Sequence, residues 1–480
     1  MHVQPSSLPI ERILLIVIAQ LVVIICAARA SGTWLHRLGQ PVVCGEIAAG
    51  LILGPSLLGR VFPGLQSRIF DASVGPTFAI MSQLGLILLM FLMGLEFDFS
   101  HLSENRPAAL SISAAGVALP FGLGMLLGHF MHPALGLSGS AIDFSLFMAA
   151  AMSITALPVL GRIMIELNMH RTPIGALTIS AAVVNDVAGW IILALITAIV
   201  HSAFNPVKVA LIVCEVLGYV AVMLVVVRPL VSKWALAQVR NNRGQLPLNA
   251  FAAILIMVLL SAAVTNLIGI FSIFGGFVMG AILFDQKEVG QAIHARLHDF
   301  VAVFFLPIFF TYTGLRTDIG SMQGWRSWGF CFLVLLAASA GKFGGCALAA
   351  RANGIPWRES AAIGVMMNTR ALMELIVVNV GYDLGIIPRS VFFMLVLMAL
   401  TTTYVTTPLL VRLLRGSETE SACRRANFML SRPGFDGMSL DRLSRAVGSR
   451  DDLGVVGEPV NPQNAQPQDH APPLPRNRDV

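Results

Sequence analysis

The chain has 480 residues, of which 56% are hydrophobic and 12% are charged, and its mean hydropathy is +0.77. These values exclude a soluble globular protein and indicate an integral membrane protein. The formal net charge of +6 is therefore interpreted by its distribution among the loops, and neither nucleic acid nor a cofactor is expected as a partner.

Apolar runs of spanning or near-spanning length predict an all-α protein of about thirteen transmembrane helices. The runs are centred near residues 20, 50, 87, 117, 154, 187, 217, 258, 277, 308, 338, 370 and 402. The close spacing around residues 258 to 308 leaves about twelve or about fourteen helices as alternatives.

Lys and Arg are unevenly distributed between the two sets of alternate loops. One set holds clusters such as Arg228, Lys233 and Arg240, whereas the other set holds only Arg60, Arg68, Lys208, Arg316, Arg326 and Arg389. Because basic residues accumulate on the cytoplasmic side, the N-terminus is expected outside and the C-terminus inside. The expected location is the inner (plasma) membrane of the cell, in which the chain makes multiple passes through the lipid bilayer.

One carboxylate interrupts an apolar run. From Thr178 to Val200 the only ionisable side chain is that of Asp186, which follows the amide of Asn185. A charge at membrane depth costs about 2.5 kcal/mol or more, so such a residue faces a partner, a water-filled cavity or an ion path. Asp186 is therefore the first candidate for an ion site, and a structural ion pair is the alternative.

Two further runs are predicted to be broken helices. The first contains Ser153, Thr155 and Pro158, and the proline removes a backbone donor and clashes with the preceding turn. Unwound backbone is tolerated in a bilayer only where it is buried in protein or lines a cavity. A simple proline kink is the alternative at this position.

The second broken run contains Asn368, Thr369, Arg370 and Glu374. Arg370 and Glu374 are four residues apart and can form an ion pair along one helix face. Such a pair would explain both charges as structural. Lys342 is the only charge between residues 327 and 350.

Interrupted segments in corresponding places of two halves indicate a transporter with inverted repeats and a site near the membrane midplane. The two breaks are then expected to cross, with Asp186 and Lys342 approaching the site from opposite sides. This arrangement predicts core helices at about 107–201 and 327–415 within a transmembrane domain of residues 1–415. Residues 416–480 are rich in Arg, Asp, Ser, Pro and Gln and are expected to form a disordered cytoplasmic tail.

Several motifs together carry a resemblance to a known family. They are GEIAAGLILGPSLLG at 45–59, FLMGLEFD at 91–98, SITALPVLGRIM at 153–164, VVNDVAGW at 183–190, AGKFGG at 340–345 and NTRALMELIVVNVG at 368–381. In these motifs the chain resembles the second branch of the monovalent cation:proton antiporters, and especially the plant-type cation/H+ exchangers and their bacterial relatives.

The resemblance implies a thirteen-helix fold with crossed broken helices, a dimerisation domain, a homodimer and elevator-type alternating access. It also implies roles for individual residues. Asp186 would bind the cation or the proton beside Asn185, Thr155 would belong to the first unwound segment, Lys342 would be the basic residue of the core, and Glu96 would be the acidic residue of the GLEFD motif. For Glu96, a solvated charge at the membrane interface is the alternative.

The expected function is exchange of K+ or Na+ for H+, and not an enzymatic reaction. Oxygen ligands suit such cations, and Asp186, Asn185, Thr155, Ser153 and freed carbonyls supply them. Because the amide of Asn185 cannot titrate, a 1:1 electroneutral exchange is expected, with Arg370 and Glu374 as supporting charges. The alternatives are a pH- or ligand-regulated cation channel or efflux system, and an organic-anion carrier anchored by Arg370.

Overall fold

The structure is a computed structural model in which residues 10–37, 42–70, 74–95, 106–166, 169, 172–201, 206–242 and 244–414 are described. The predicted site residue Glu96 and the predicted tail at 416–480 lie outside the described residues. Within the described ranges every regular element is helical, which confirms the all-α fold class.

The described residues between 10 and 134 form six helices, the last of which is long enough to cross a membrane. They are α1 (Ile10–Arg37), α2 (Val42–Leu53), α3 (Leu58–Val61), α4 (Pro63–Ile69), α5 (Gly75–Leu95) and α6 (Arg106–Ala134).

The first predicted break separates two half-helices, α7 (Ala141–Ser153) and α8 (Leu157–Glu166), which precede α9 (Pro173–His201). Ile154 has φ −80° and ψ 145°, so the chain is extended directly after α7. Pro158 explains the break, because it has no N–H to donate to the carbonyl four residues earlier. At the second position of α8 this missing donor costs nothing, since the first N–H groups of a helix have no intrahelical acceptor.

In the middle of the chain, the described residues between 206 and 316 form six α-helices, two pairs of which are joined by a π-helical turn. They are α10 (Pro206–Val222), α11 (Arg228–Asn241), α12 (Leu248–Ile268), α13 (Ser272–Ala281), α14 (Lys287–Phe300) and α15 (Leu306–Arg316). The π-helical turns are Met223–Val227 and Val301–Phe305.

The last part repeats the pattern of a long helix followed by a broken one. Its helices are α16 (Gly324–Ala352), α17 (Trp357–Met367), α18 (Leu372–Asp383) and α19 (Arg389–Leu414). The axes of α17 and α18 differ by 42° across the second predicted break.

The predicted count of thirteen spans is not confirmed. Ten helices of the described residues are long and apolar enough to cross a membrane, or eleven spans if α17 and α18 count as one. The apolar helices α7 and α13 are shorter, at Ala141–Ser153 and Ser272–Ala281. The breaks cause part of this difference, because they fall at the centres of two apolar runs and divide them into half-helices.

The described helices belong to one compact unit, within which the closest packing defines two packed groups. In one group α6 packs against α7, α9 and α16, and α16 also packs against α17 and α19. In the other group α2 packs against α1 and α15, while α13 packs against α5 and α12. The first group contains both broken helices and therefore holds the candidate site.

Candidate cation and proton site

Asp186 lies near the middle of α9 and is only 1% exposed. Its Oδ1 atom has no hydrogen-bond partner in the described part of the chain. Leaving a buried polar atom without a partner costs free energy, so an unpartnered carboxylate oxygen is typical of a functional position. The structure thus places the predicted carboxylate inside the helix bundle with one oxygen available to a ligand.

Beside this carboxylate, Asn185 of α9 contacts both the first break and α16. Its Oδ1 atom accepts hydrogen bonds from the backbone N–H of Thr155, at 3.2 Å, and from Nζ of Lys342, also at 3.2 Å. Asn185 is fully buried. An amide accepts both bonds without adding a second titratable group, which an aspartate at this position would do.

The two helix breaks contact each other, as the crossing of the broken helices requires. The hydroxyl Oγ1 of Thr155 donates to the carbonyl of Met367 at 3.2 Å, and the N–H of Ala156 donates to the carbonyl of Thr369 at 3.1 Å. Each break therefore satisfies polar groups of the other, which allows unwound backbone to persist at membrane depth.

All four terminal carbonyls of α7 have partners. The last four carbonyls of a helix lack intrahelical donors, and the C-terminal end carries a partial negative charge. The Ser153 hydroxyl donates to Ala150 O at 3.0 Å, and Arg370 donates to Ala151 O at 2.9 Å and to Met152 O at 2.5 Å. Nζ of Lys342 donates to the carbonyl of Ser153. Two cations from distant parts of the chain thus stabilise one half-helix end.

Four buried ionisable residues surround the breaks: Asp186, Lys342, Arg370 and Glu374. Arg370 Nη1 lies 3.5 Å from Glu374 Oε2, so the pair four residues apart that the sequence suggested is present. The Arg370 guanidinium also donates to carbonyls of α7. Its ion pair with Glu374 is therefore only one of the contacts that hold it in place. If all four groups are ionised, their charges sum to zero.

Thr403 of α19 is a member of the site that the sequence reasoning missed. Its hydroxyl accepts a hydrogen bond from the N–H of Arg370 at 3.2 Å and donates one to the carbonyl of the same residue. Threonines in helices usually bond to their own preceding turn, so nothing in the sequence distinguishes Thr403 from its neighbours.

The predicted site residues are therefore brought together, except for Glu96, which lies outside the described residues. Ser153, Thr155, Asn185, Asp186, Lys342, Arg370 and Glu374 all lie at or beside the two breaks. The second break adds buried oxygens without partners among the described residues, Asn368 Oδ1 and Thr369 Oγ1. A cluster of carboxylate, amide, hydroxyl and carbonyl oxygens suits a hard monovalent cation.

Several known proteins are similar to this chain in sequence. Residues 21–416 match the sodium/hydrogen exchanger family, transmembrane region. The Na+/H+ antiporter NhaS4 of Synechocystis sp. is 40% identical over 410 residues, which are 83% of this chain and 97% of that protein. Cation/H+ antiporter 17 of Arabidopsis thaliana is 37% identical over 412 residues, which are 84% of this chain. The match spans only about half of the plant protein, 49% of its length.

A solved structure has a similar fold. The sodium proton antiporter MjNhaP1 from Methanocaldococcus jannaschii, at pH 8, aligns with a TM-score of 0.58 over 86% of this chain and 99% of that chain. At 14% sequence identity, the similarity establishes the fold and no more.

Proposed function

The chain belongs to the sodium/hydrogen exchanger family, whose members are membrane transporters and not enzymes, and we propose that it exchanges K+ or Na+ for H+ at Asp186. The multi-pass helical fold and the resemblance of residues 21–416 to cation/proton antiporters support this proposal.

The observation that carries the proposal is the carboxylate of Asp186, 1% exposed, beside two crossed helix breaks and with Oδ1 unpartnered in the described residues. A buried carboxylate can hold either a proton or a cation, and the two exclude each other. A transporter that changes its facing only when the site is loaded converts this competition into exchange.

Oxygen atoms around the carboxylate are suitable cation ligands. We propose that Asp186 acts with Asn185, the Thr155 hydroxyl, Ser153 and backbone carbonyls freed by the breaks. Thr155 and Ser153 each use the hydroxyl hydrogen to bond a backbone carbonyl, at 3.2 Å and 3.0 Å, so their lone pairs remain available to a cation.

The charges of the core favour 1:1 electroneutral exchange. A proton or a monovalent cation on Asp186 changes the charge of the core by the same amount. Arg370 stays charged, because a guanidinium does not lose its proton in proteins, and the proposal requires that Lys342 keeps its proton throughout the cycle. Asn185 adds no titratable carboxylate. Membrane potential, which contributes about 2.3 kcal/mol per charge per 100 mV, then has no net charge to act on.

The two packed groups supply the parts for elevator-type alternating access. In this proposal the core helices, at about 107–201 and 327–415, move as one body and carry the crossed breaks with them. The remaining helices form the scaffold and the surface of a homodimer. The N-terminus lies outside and the C-terminus in the cytoplasm, as the distribution of Lys and Arg favours.

The proposal is tested by cation-driven proton movement in sealed proteoliposomes that contain a pH dye. Addition of K+ or Na+ to the wild type is expected to change the internal pH, and the cation that does so identifies the substrate. Asp186→Asn is expected to abolish the response, because an amide cannot exchange a proton at this pH.

Asp299→Asn is the matched control, since Asp299 is 86% exposed and is expected to retain full exchange. Absence of coupled proton movement from folded wild-type protein would refute the exchange function. Wild-type behaviour of Asp186→Asn would refute the assignment of the site.

A further inference from the structure

A second polar cluster lies away from the candidate site, where α15 and α18 both end. Arg316 is the last residue of α15, and its Nη1 atom donates to Asp383 Oδ1 at 2.7 Å and to Asn379 Oδ1 at 3.2 Å. Its Nη2 atom donates to the hydroxyl of Tyr312 at 2.7 Å. The guanidinium carbon also lies 4.3 Å from the ring centre of Tyr312 and 5.4 Å from that of Tyr382.

This cluster crosses the boundary between the two packed helix groups. The backbone of α15 packs against α1, α2 and α5, whereas that of α18 packs against α7 and α19. The bonds from Arg316 to Asp383 and Asn379 therefore join one group to the other. A third hydrogen bond between the two groups runs from Asn379 Nδ2 to Thr313 Oγ1, at 2.9 Å.

Several features make this contact stronger than an ordinary surface ion pair. The side chain of Arg316 is 17% exposed and that of Asp383 is 38% exposed, while Asn379 is buried. Arg316 also lies at the C-terminal ends of two helices, where a positive charge is favourable. Partial burial and stacking on tyrosine rings reduce the screening that weakens exposed pairs.

The position of α18 connects the cluster to the candidate site. α18 is the second half of the broken helix that begins just after Arg370, and it ends at Asp383. A body that contains the breaks cannot slide along the scaffold while the end of α18 is bonded to α15. The bonds of Arg316 must then open whenever the core moves.

We propose that Arg316, Asp383 and Asn379 form an interdomain latch that closes one face of the transporter and opens once in each transport cycle. The inference rests on the proposed exchange by alternating access. The latch lies on the face of Arg316 and Arg389, the outer face according to the distribution of basic residues. It stabilises the state in which the cation site is closed to that face.

Weakening the latch shifts the population between the two facing states. A population shift changes the apparent cation affinity in opposite directions on the two sides, because each side binds only the state that faces it. The apparent KM is expected to fall for cation added on the latch side and to rise for cation added on the other side. Loss of the Arg316–Asp383 bond is expected to change the ratio of the two KM values about tenfold.

The experiment measures cation-driven proton flux in oriented proteoliposomes, with cation added on each side in turn. Arg316→Met, Asp383→Asn and the double variant are compared with the wild type. The double variant is expected to shift the KM ratio no further than Arg316→Met alone, since Arg316→Met already removes the bond to Asp383. Arg316→Lys keeps the positive charge. Its KM ratio is expected to lie between that of the wild type and that of Arg316→Met.

Arg326→Met is the matched control, because Arg326 belongs to the same set of loops as Arg316 but is exposed and lies outside the cluster. It is expected to leave the KM ratio unchanged. Asp383→Asn changes one exposed carboxylate to its isostere and so tests the latch even if Arg316→Met does not fold.

The outcomes distinguish the latch from the exchange function on which it rests. Loss of coupled flux in the wild type would refute the exchange function itself. Normal wild-type exchange, with a KM ratio in folded Asp383→Asn within about twofold of the wild-type ratio, would overturn the latch alone. A shift of the same size in Arg326→Met would also overturn it, by showing a general surface-charge effect.

Discussion

The two half-helix ends that meet at the breaks are stabilised in different ways. At the end of α7, the guanidinium of Arg370 and the ammonium of Lys342 bond to three of the four terminal carbonyls. At the end of α17, the N–H groups of Asn368 and Thr369 bond back to Gly364, Val365 and Met366 at 3.1 to 3.2 Å, and Thr155 bonds to Met367. One end is held by charge and the other by neutral groups.

This difference shows that two half-helix ends at neighbouring breaks can be stabilised by different chemistry. Arg370 belongs to the second break in sequence, but its guanidinium stabilises the half-helix of the first break. The positive side chains are thus concentrated at one of the two half-helix ends, near the carboxylate of Asp186. Substitutions at the charged end are therefore expected to cost more stability than substitutions at the neutral end.

Arg370→Met is expected to have the largest effect. The change removes the donors to the carbonyls of Ala151 and Met152 and leaves the buried carboxylate of Glu374 without its ion-pair partner. Removing one partner of a buried pair destabilises by about 3–5 kcal/mol. Denaturation of the purified protein by SDS measures the loss, and Arg326→Met, at an exposed arginine, is the control. A loss below about 1 kcal/mol would contradict the proposed asymmetry.

Lys342→Met is expected to have the next largest effect, because it removes the donor to the carbonyl of Ser153 and to Asn185. Hydrogen bonds that involve a charged group contribute about 1.5–3 kcal/mol each to stability. The same denaturation assay measures the loss, and Lys233→Met, at an exposed lysine, should leave stability unchanged. Equal stabilities of the two variants would show that the ammonium does not stabilise the end of α7.

Thr155→Val is expected to have the smallest effect on stability, since it removes one neutral hydrogen bond to the carbonyl of Met367. The expected loss is about 1 kcal/mol. Thr155→Ser retains the hydroxyl and is the matched control. A loss from Thr155→Val as large as that from Arg370→Met would remove the distinction between the charged and the neutral end.

Much of the site was predictable because charged and helix-breaking residues are rare in apolar runs. Asp186 is the only ionisable residue of its run, and Pro158 marks the first break by its missing donor. The membrane environment makes each of these departures costly, so each one indicates a local requirement of the structure.

The remaining features depend on contacts between distant parts of the chain. The bond from Arg370 to Ala151 joins residues 219 positions apart, and the nearby Glu374 offers a sufficient local explanation of the arginine. Thr403 lies in a run of threonines that gives no local signal. The number of spans was not predictable for a different reason, because an apolar run has the same composition whether it forms one helix or two half-helices.

The most direct test of the central claim is proton release on cation binding by the purified protein in weakly buffered solution. At a pH where Asp186 is protonated, binding of K+ or Na+ to the wild type should release about one proton per cation, because the ligand must lose its proton to bind the ion. Asp186→Asn should release none. Equal release from wild type and variant would contradict the claim that proton and cation compete for Asp186.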